Sequence, residues 1–311
     1  MKTAFLFSGQ GAQYQGMGQD LYQETIVKET FDEASDILGY DMAKLCFSKN
    51  EQLNQTKYTQ PAILTVSIAF YRLLSEHGIM PQAALGLSLG EYSALVSSEA
   101  LTFGEAVALV AKRGTYMTEA TPAGSGKMVA IMNTPVEIIE ESCLKAQQFG
   151  IVSPANYNTP QQIVIGGEEQ AVDEAVKLLE EKGIKRIMPL NVSGPFHTEI
   201  LAPAAKKLGL ELKGLSFKEP KIPVISNTTT EVMKKDRIPI LLEQQVMKPV
   251  HFYESIQQLK DLGIERVIEV GPGKVLSGFM KKIDKSIPVL RVENKKTLDE
   301  TITSIGGMLW S

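Results

Sequence analysis

Residues 83–87 form an apolar run, Ser88 breaks it, and a helical pattern begins at Glu91. A strand that turns this abruptly into a helix belongs to a sheet of parallel strands joined by helical crossovers. The turn is Gly86-Leu87-Ser88-Leu89-Gly90, which fits G-x-S-x-G. The glycines two before and two after the serine let the chain bend tightly, so the hydroxyl projects from the end of the strand. The N–H of the next residue, Leu89, then points to where an oxyanion would develop. The pattern predicts a nucleophile elbow, with a chance match in a tight turn as the alternative.

The rest of the chain supports an α/β reading. Residues 3–8 read as a buried strand broken by Gly9-Gln10-Gly11. Gln60-Pro61 is expected to open a helix through residue 74, since proline is tolerated in a first turn. Another helix fits 103–117. Between 127 and 193 the rhythm changes: strand 128–132, helix 136–148, strands 151–157 and 162–165 around the turn Asn158-Thr159-Pro160, helix 171–181, strand 185–190. That β-α-β-β-α-β order is the split unit of ferredoxin-like domains. Small residues, proline and glycine at 120–126 and 193–195 read as its hinges. Strands at 223–226, 265–270 and 289–292, with helices at 250–262 and 274–283, continue the outer pattern. The expectation is a large domain of residues 1–126 and 194–311, built on a parallel sheet, with a small ferredoxin-like domain at 127–193.

Composition excludes several classes. Lys and Arg number 32 against 36 Asp and Glu, so the net charge of −4 lacks the basic excess of a nucleic-acid protein. Cys46 and Cys143 are the only cysteines and form no CxxC pair, which points to a reduced cytoplasmic setting. No apolar stretch approaches the roughly 18 residues of a membrane helix. His77, His197 and His251 form no ligand pair, so neither a metal nor a resident cofactor is expected.

A serine nucleophile needs a base, most often histidine. His77 precedes Gly78 at a helix end, and His251 sits beside apolar Val250 and Phe252; both read as capping, packing or surface residues. His197 lies in Ser193-Gly194-Pro195-Phe196-His197, at the hinge of the small domain, where a cleft would collect a site. It is the preferred base, beside a buried structural role. The loop Gly9-Gln10-Gly11 lacks the third glycine of a dinucleotide fingerprint, because Tyr14 stands there. It can serve as an oxyanion site or as plain tight packing. Gly271-Pro272-Gly273-Lys274 lacks the Ser or Thr of a phosphate loop, and packing is its preferred reading.

Six blocks now occur in one order: Gly9-Gln10-Gly11-Ala12-Gln13, Thr59-Gln60-Pro61-Ala62, Gly86 to Tyr92, Lys112-Arg113-Gly114, Gly194-Pro195-Phe196-His197, and Gly271-Pro272-Gly273-Lys274-Val275-Leu276. In this the chain resembles the malonyl-CoA:acyl-carrier-protein transacylases of bacterial type II fatty acid synthesis, from about Lys2 to Val292. The resemblance implies an α/β-hydrolase-like large domain with a ferredoxin-like insertion. It implies Ser88 as the acylated nucleophile, His197 as its base, and the backbone N–H groups of Gln10 and Leu89 as oxyanion donors. Arg113 matches the arginine that binds the malonyl carboxylate; from sequence alone a surface helix position is equally open. A backbone carbonyl near Gln245 would orient the histidine, with Asn156 and Met117 supporting the cleft. The sequence departs from the family at Leu87, where His is usual, at Ser8, at Ala12 and at Gly166-Gly167.

The implied reaction is ping-pong transfer of malonyl from malonyl-CoA through Ser88 to the phosphopantetheine thiol of acyl carrier protein. That prosthetic arm belongs to the carrier. The expected enzyme is a cytoplasmic monomer with no membrane or nucleic-acid partner. Docking of an acidic carrier would need a local basic patch, either Lys281, Lys282 and Lys285 or Lys185 and Arg186. Two rivals use the same residues: a serine thioesterase or hydrolase, and a non-enzymatic acyl-carrier docking module.

Overall fold

The structure, a computed structural model, describes residues 1–309. Two sheets organise it. The first has four parallel strands in the order β2-β1-β8-β9, where β1 is Thr3–Phe7, β2 Ala83–Gly86, β8 Arg266–Val270 and β9 Val289–Val292. Every residue of β1, β2 and β8 is buried, as expected of parallel strands covered by helices on both faces. The second sheet contains β3 (Lys127–Met132), β4 (Val152–Thr159), β5 (Gln162–Gly167) and β6 (Ile187–Pro189), with helices Val136–Ala146 and Glu169–Glu181 as crossovers. Its order, β6-β3-β5-β4 followed by β7 (Val250–His251), is ferredoxin-like over the first four strands. Val129, Ile131, Ile139, Ile165, Val172 and Leu179 build a core of its own beneath that sheet.

The fifth strand corrects the expected helix at 250–262. Val250–His251 is an extended segment, β7, that pairs in parallel with Asn156 and Tyr157 of β4; the helix is Phe252–Asp261. The His251 ring stacks on Tyr157 with centroids 4.8 Å apart, which holds the two residues out of the helix. The segments 194–311 and 127–193 therefore share a sheet.

Other boundaries move for local reasons. Helix Thr56–Glu76 starts before Pro61, so the proline is internal, not in the first turn, and cannot bond the Lys57 carbonyl. The expected turn at Asn158-Thr159-Pro160 falls instead on Pro160 and Gln161: β4 runs on to Thr159 because register shifts absorb the misfit beside Asn158. Residues 223–226 make only two isolated bridges, Val224 with Ala84 in parallel and Ile225 with Val232 antiparallel, rather than a strand. Pro223 has no N–H to extend it. The strand expected at 185–190 shrinks to β6. Helices Met42–Phe47, Ala202–Leu212, Ile238–Gln245 and Lys295–Leu309 were not anticipated. No helix among the described residues is long and apolar enough to cross a membrane. Cys46 and Cys143 are both buried and free.

Candidate active site

Ser88 occupies the turn between β2 and helix Gly90–Ser97, with φ of +53°. The flanking glycines are steric requirements. A Cβ on Gly86 would overlap the Gly90 backbone, and one on Gly90 would overlap the Phe7 carbonyl. The helix that follows leaves its first N–H groups without intrahelical partners. Leu89, its N-cap, is one of these, and its N–H sits at the positive end of the helix dipole. Gly9 packs so closely on the Leu87 carbonyl that no Cβ would fit, which brings Gln10 to the edge of the same turn.

His197 comes from the hinge after β6, with φ of +60° and its backbone N–H on the Val246 carbonyl at 3.2 Å. Its Nδ1 lies 2.7 Å from the carbonyl oxygen of Gln245, at the end of helix Ile238–Gln245. A carbonyl can only accept, so Nδ1 carries the proton. Nε2, 2.8 Å from Ser88 Oγ, is then free to accept from the hydroxyl. A helix terminus supplies the carbonyl because its last carbonyls lack helical partners.

Arg113 lies on helix Phe103–Ala120, which opens on a capping box of Thr102 and Glu105. It follows Phe103, Ala106 and Val110 along the inward stripe and is only 1 % exposed. Its Nη1 donates to Gln60 Oε1 at 2.9 Å. Its Nη2 donates to Gln245 Oε1 at 2.9 Å and to Ser88 Oγ at 3.2 Å. The guanidinium also lies over the Tyr92 ring at 5.5 Å. The surface alternative for Arg113 is thereby overturned.

These groups line a cavity of about 270 Å³ between the two sheets. Gln10, Met117, Asn156 and Phe196 line it as well, with Leu87, Val275 and Phe279 adding apolar surface. Met117 Sδ receives Gln60 Nε2 at 3.4 Å. Of the residues singled out, Leu89 and Gln245 lie behind the cavity wall; Gln245 acts from there through its carbonyl on His197 and through its side chain, which accepts from Arg113 and donates from Nε2 to the Ser88 carbonyl at 2.8 Å. His77 caps helix Thr56–Glu76. His251 is engaged with Tyr157 and Glu254 and takes no part in the cavity.

Residues 4–302 match the family described as the acyl transferase domain. The chain belongs to that family. This acyltransferase is 44 % identical over 308 residues to the malonyl CoA-acyl carrier protein transacylase of Bacillus subtilis, covering 98 % of this chain and 97 % of the relative. It superposes on the crystal structure of the transacylase MCAT from Streptococcus pneumoniae with a TM-score of 0.96 at 59 % identity, covering 97 % and 100 % of the two chains. A malonyl-transacylase solved in complex with its type II polyketide carrier protein superposes with a TM-score of 0.94 at 39 % identity, covering 98 % and 100 %.

Two residues of the acyltransferase site escaped the sequence reading. Gln60 stood in a quoted block but without a role; it ties Arg113 to Gln10, donating from Nε2 to Gln10 Oε1 at 3.3 Å. Glu91 directly follows the elbow and is wholly buried. Burial pushes its carboxyl up to about 8, although the Asn227 N–H, Gln245 and Arg113 pull the other way.

Burial, and then the Arg113 charge, lower His197 to about 4. A lowered histidine is neutral over the whole physiological range, and the neutral ring is the form that can accept a proton. The rate of Ser88 acylation at low substrate is therefore expected to stay flat from about pH 8 to about pH 5 and to fall only below that. An acid limb centred at the ordinary histidine value would contradict this.

Proposed function

We propose that the acyltransferase carries malonyl from malonyl-CoA to the phosphopantetheine thiol of an acyl carrier protein, supplying fatty acid synthesis in the cytoplasm, and that it works as a monomer. The observation that carries the choice of acyl group is Arg113. It is a buried cation beside the nucleophile, and among the described residues no carboxylate forms an ion pair with it. Burial pushes the carboxyl of Glu91, the acid that acts on Arg113, up to about 8, which weakens it as a counter-ion. An unpaired buried charge is costly, and a substrate carboxylate relieves it through two parallel hydrogen bonds.

The chemistry follows in two balanced halves. His197 Nε2 takes the Ser88 proton as Oγ attacks the thioester carbonyl. The N–H groups of Leu89 and Gln10 stabilise the tetrahedral oxyanion. The C–S bond breaks, and CoA leaves as a thiol with the proton from His197. The carrier thiol then gives its proton to His197, attacks the serine ester and departs as malonyl thioester, restoring the Ser88 hydroxyl. Mapping the ester by peptide mass spectrometry after mixing with malonyl-CoA, then chasing it with carrier protein, tests the proposal. Label on any residue but Ser88, or loss of the label to water alone, refutes it.

A docking surface fits beside the cavity mouth. Arg186, Lys274 and Lys282 line one hollow, and Val275 and Phe279 line both this hollow and the cavity. The two basic clusters offered as alternatives by sequence thus each contribute a cation to one surface. Among the described residues none of the three cations is in an ion pair, so all are available to an acidic partner. Reversing Arg186 and Lys282 to Glu is expected to raise the KM for carrier about tenfold or more at low salt, with Ser88 acylation unchanged. Stopped-time assays over a carrier titration read this directly.

A further inference from the structure

The mechanism uses the Ser88 hydroxyl but leaves open what holds its backbone. Ser88 is in the left-handed region, where a residue with a Cβ persists only if its surroundings enforce it. Asn227 meets the elbow from outside the catalytic set. It is fully buried, and its Oδ1 accepts the Ser88 N–H at 2.7 Å. Its Nδ2 donates to the Gly86 carbonyl at 2.6 Å. One amide thus spans the turn, satisfying a donor on one side of Leu87 and an acceptor on the other.

Asn227 is itself fixed twice. Its N–H donates to Glu91 Oε2 at 2.7 Å, and its carbonyl accepts the His251 N–H at 2.9 Å. His251 is in β7, which pairs with the Asn156-Tyr157 segment of β4. A continuous hydrogen-bonded path therefore runs from the inserted sheet, through β7 and Asn227, to the nucleophile.

We infer that Asn227, seated on the buried carboxyl of Glu91, is a positioning residue of the nucleophile elbow, holding the Ser88 N–H so that Oγ reaches His197, while Gln245 Nε2 holds the Ser88 carbonyl at 2.8 Å. The inference rests on Ser88 being the acylated residue. The titratable groups facing this locus are Glu91 on the elbow helix, Arg113 beyond it, His197 across Ser88, and His251 on β7.

Full-length variants decide the matter, read as the rate of malonyl-ester formation on Ser88. Asn227→Ala is expected to slow acylation about 100-fold, with the KM for malonyl-CoA within about threefold of the parent. Asn227→Asp keeps the shape and isolates the hydrogen bonds. Ionised, that side chain accepts from Ser88 but cannot donate to the Gly86 carbonyl; protonated, it does both. Its acylation rate is therefore expected to climb as pH falls from about 8 to about 5, a window in which the parent is flat. An Asn227→Asp profile parallel to the parent's overturns the inference, as does an Asn227→Ala protein that acylates at the parent rate. Should Asn227→Ala fail to fold, the Asp variant decides alone. Ser88→Ala separates the two levels: malonyl ester formed without Ser88 removes the nucleophile, whereas normal Ser88 labelling in both Asn227 variants removes only the role of Asn227.

Discussion

His197→Ala is expected to slow acylation of Ser88 by about 10³- to 10⁴-fold, the upper range for a positioned base. Two features place it there. Nε2 is 2.8 Å from Ser88 Oγ, and the Gln245 carbonyl leaves only that nitrogen to accept. No carboxylate is needed, since the tautomer is set by a backbone group that cannot titrate. Both half-reactions pass through the same nitrogen, so transfer to carrier slows by a similar factor. Rapid-quench measurement of each half separately checks this. A variant impaired in one half only would show that a second base serves the other. The fold should survive, because the ring faces the cavity and the loop is also held by the His197 N–H on Val246.

Arg113→Ala is expected to lower kcat/KM for malonyl-CoA by about 10²- to 10³-fold, the loss of a buried carboxylate–guanidinium pair. The same change should raise relative activity with acetyl-CoA, because the variant no longer presents a buried cation that a neutral acyl group leaves unpaired. The ratio of the two specificity constants is the diagnostic quantity, since it cancels any general damage to the elbow. An unchanged ratio would mean that Arg113 serves only as a donor to Ser88, Gln60 and Gln245. Arg113→Lys should recover little, because a single ammonium cannot bridge Gln60, Gln245 and a carboxylate at once.

Much of this architecture is legible in the sequence, for reasons that can be named. The elbow is legible because steric demand at Gly86 and Gly90 leaves no other residue possible. The inserted unit is legible because β3 runs apolar from Met128 to Met132 and its two helices carry clear apolar stripes. β7 is not, since two residues carry no period. Arg113 could have been placed inward by its alignment with Ala106, Val110 and Met117, but a lone charge on such a stripe reads equally well as its edge. Asn227 was invisible: its partners Ser88 and Gly86 lie 139 and 141 residues away, and a polar residue in Ser226-Asn227-Thr228-Thr229-Thr230 looks like any loop. Gln60 shares this difficulty, since its partner Arg113 is 53 residues distant.

The borrowed strand has a consequence for anyone exchanging parts between relatives. Cutting at the two hinges would strip β4 of its outer neighbour and expose an unprotected edge, a template for aggregation. A graft meant to fold cleanly must bring Val250 and His251 along, although they sit more than fifty positions beyond the second hinge. The insertion is therefore not a detachable cassette: its boundaries in space and along the chain do not coincide.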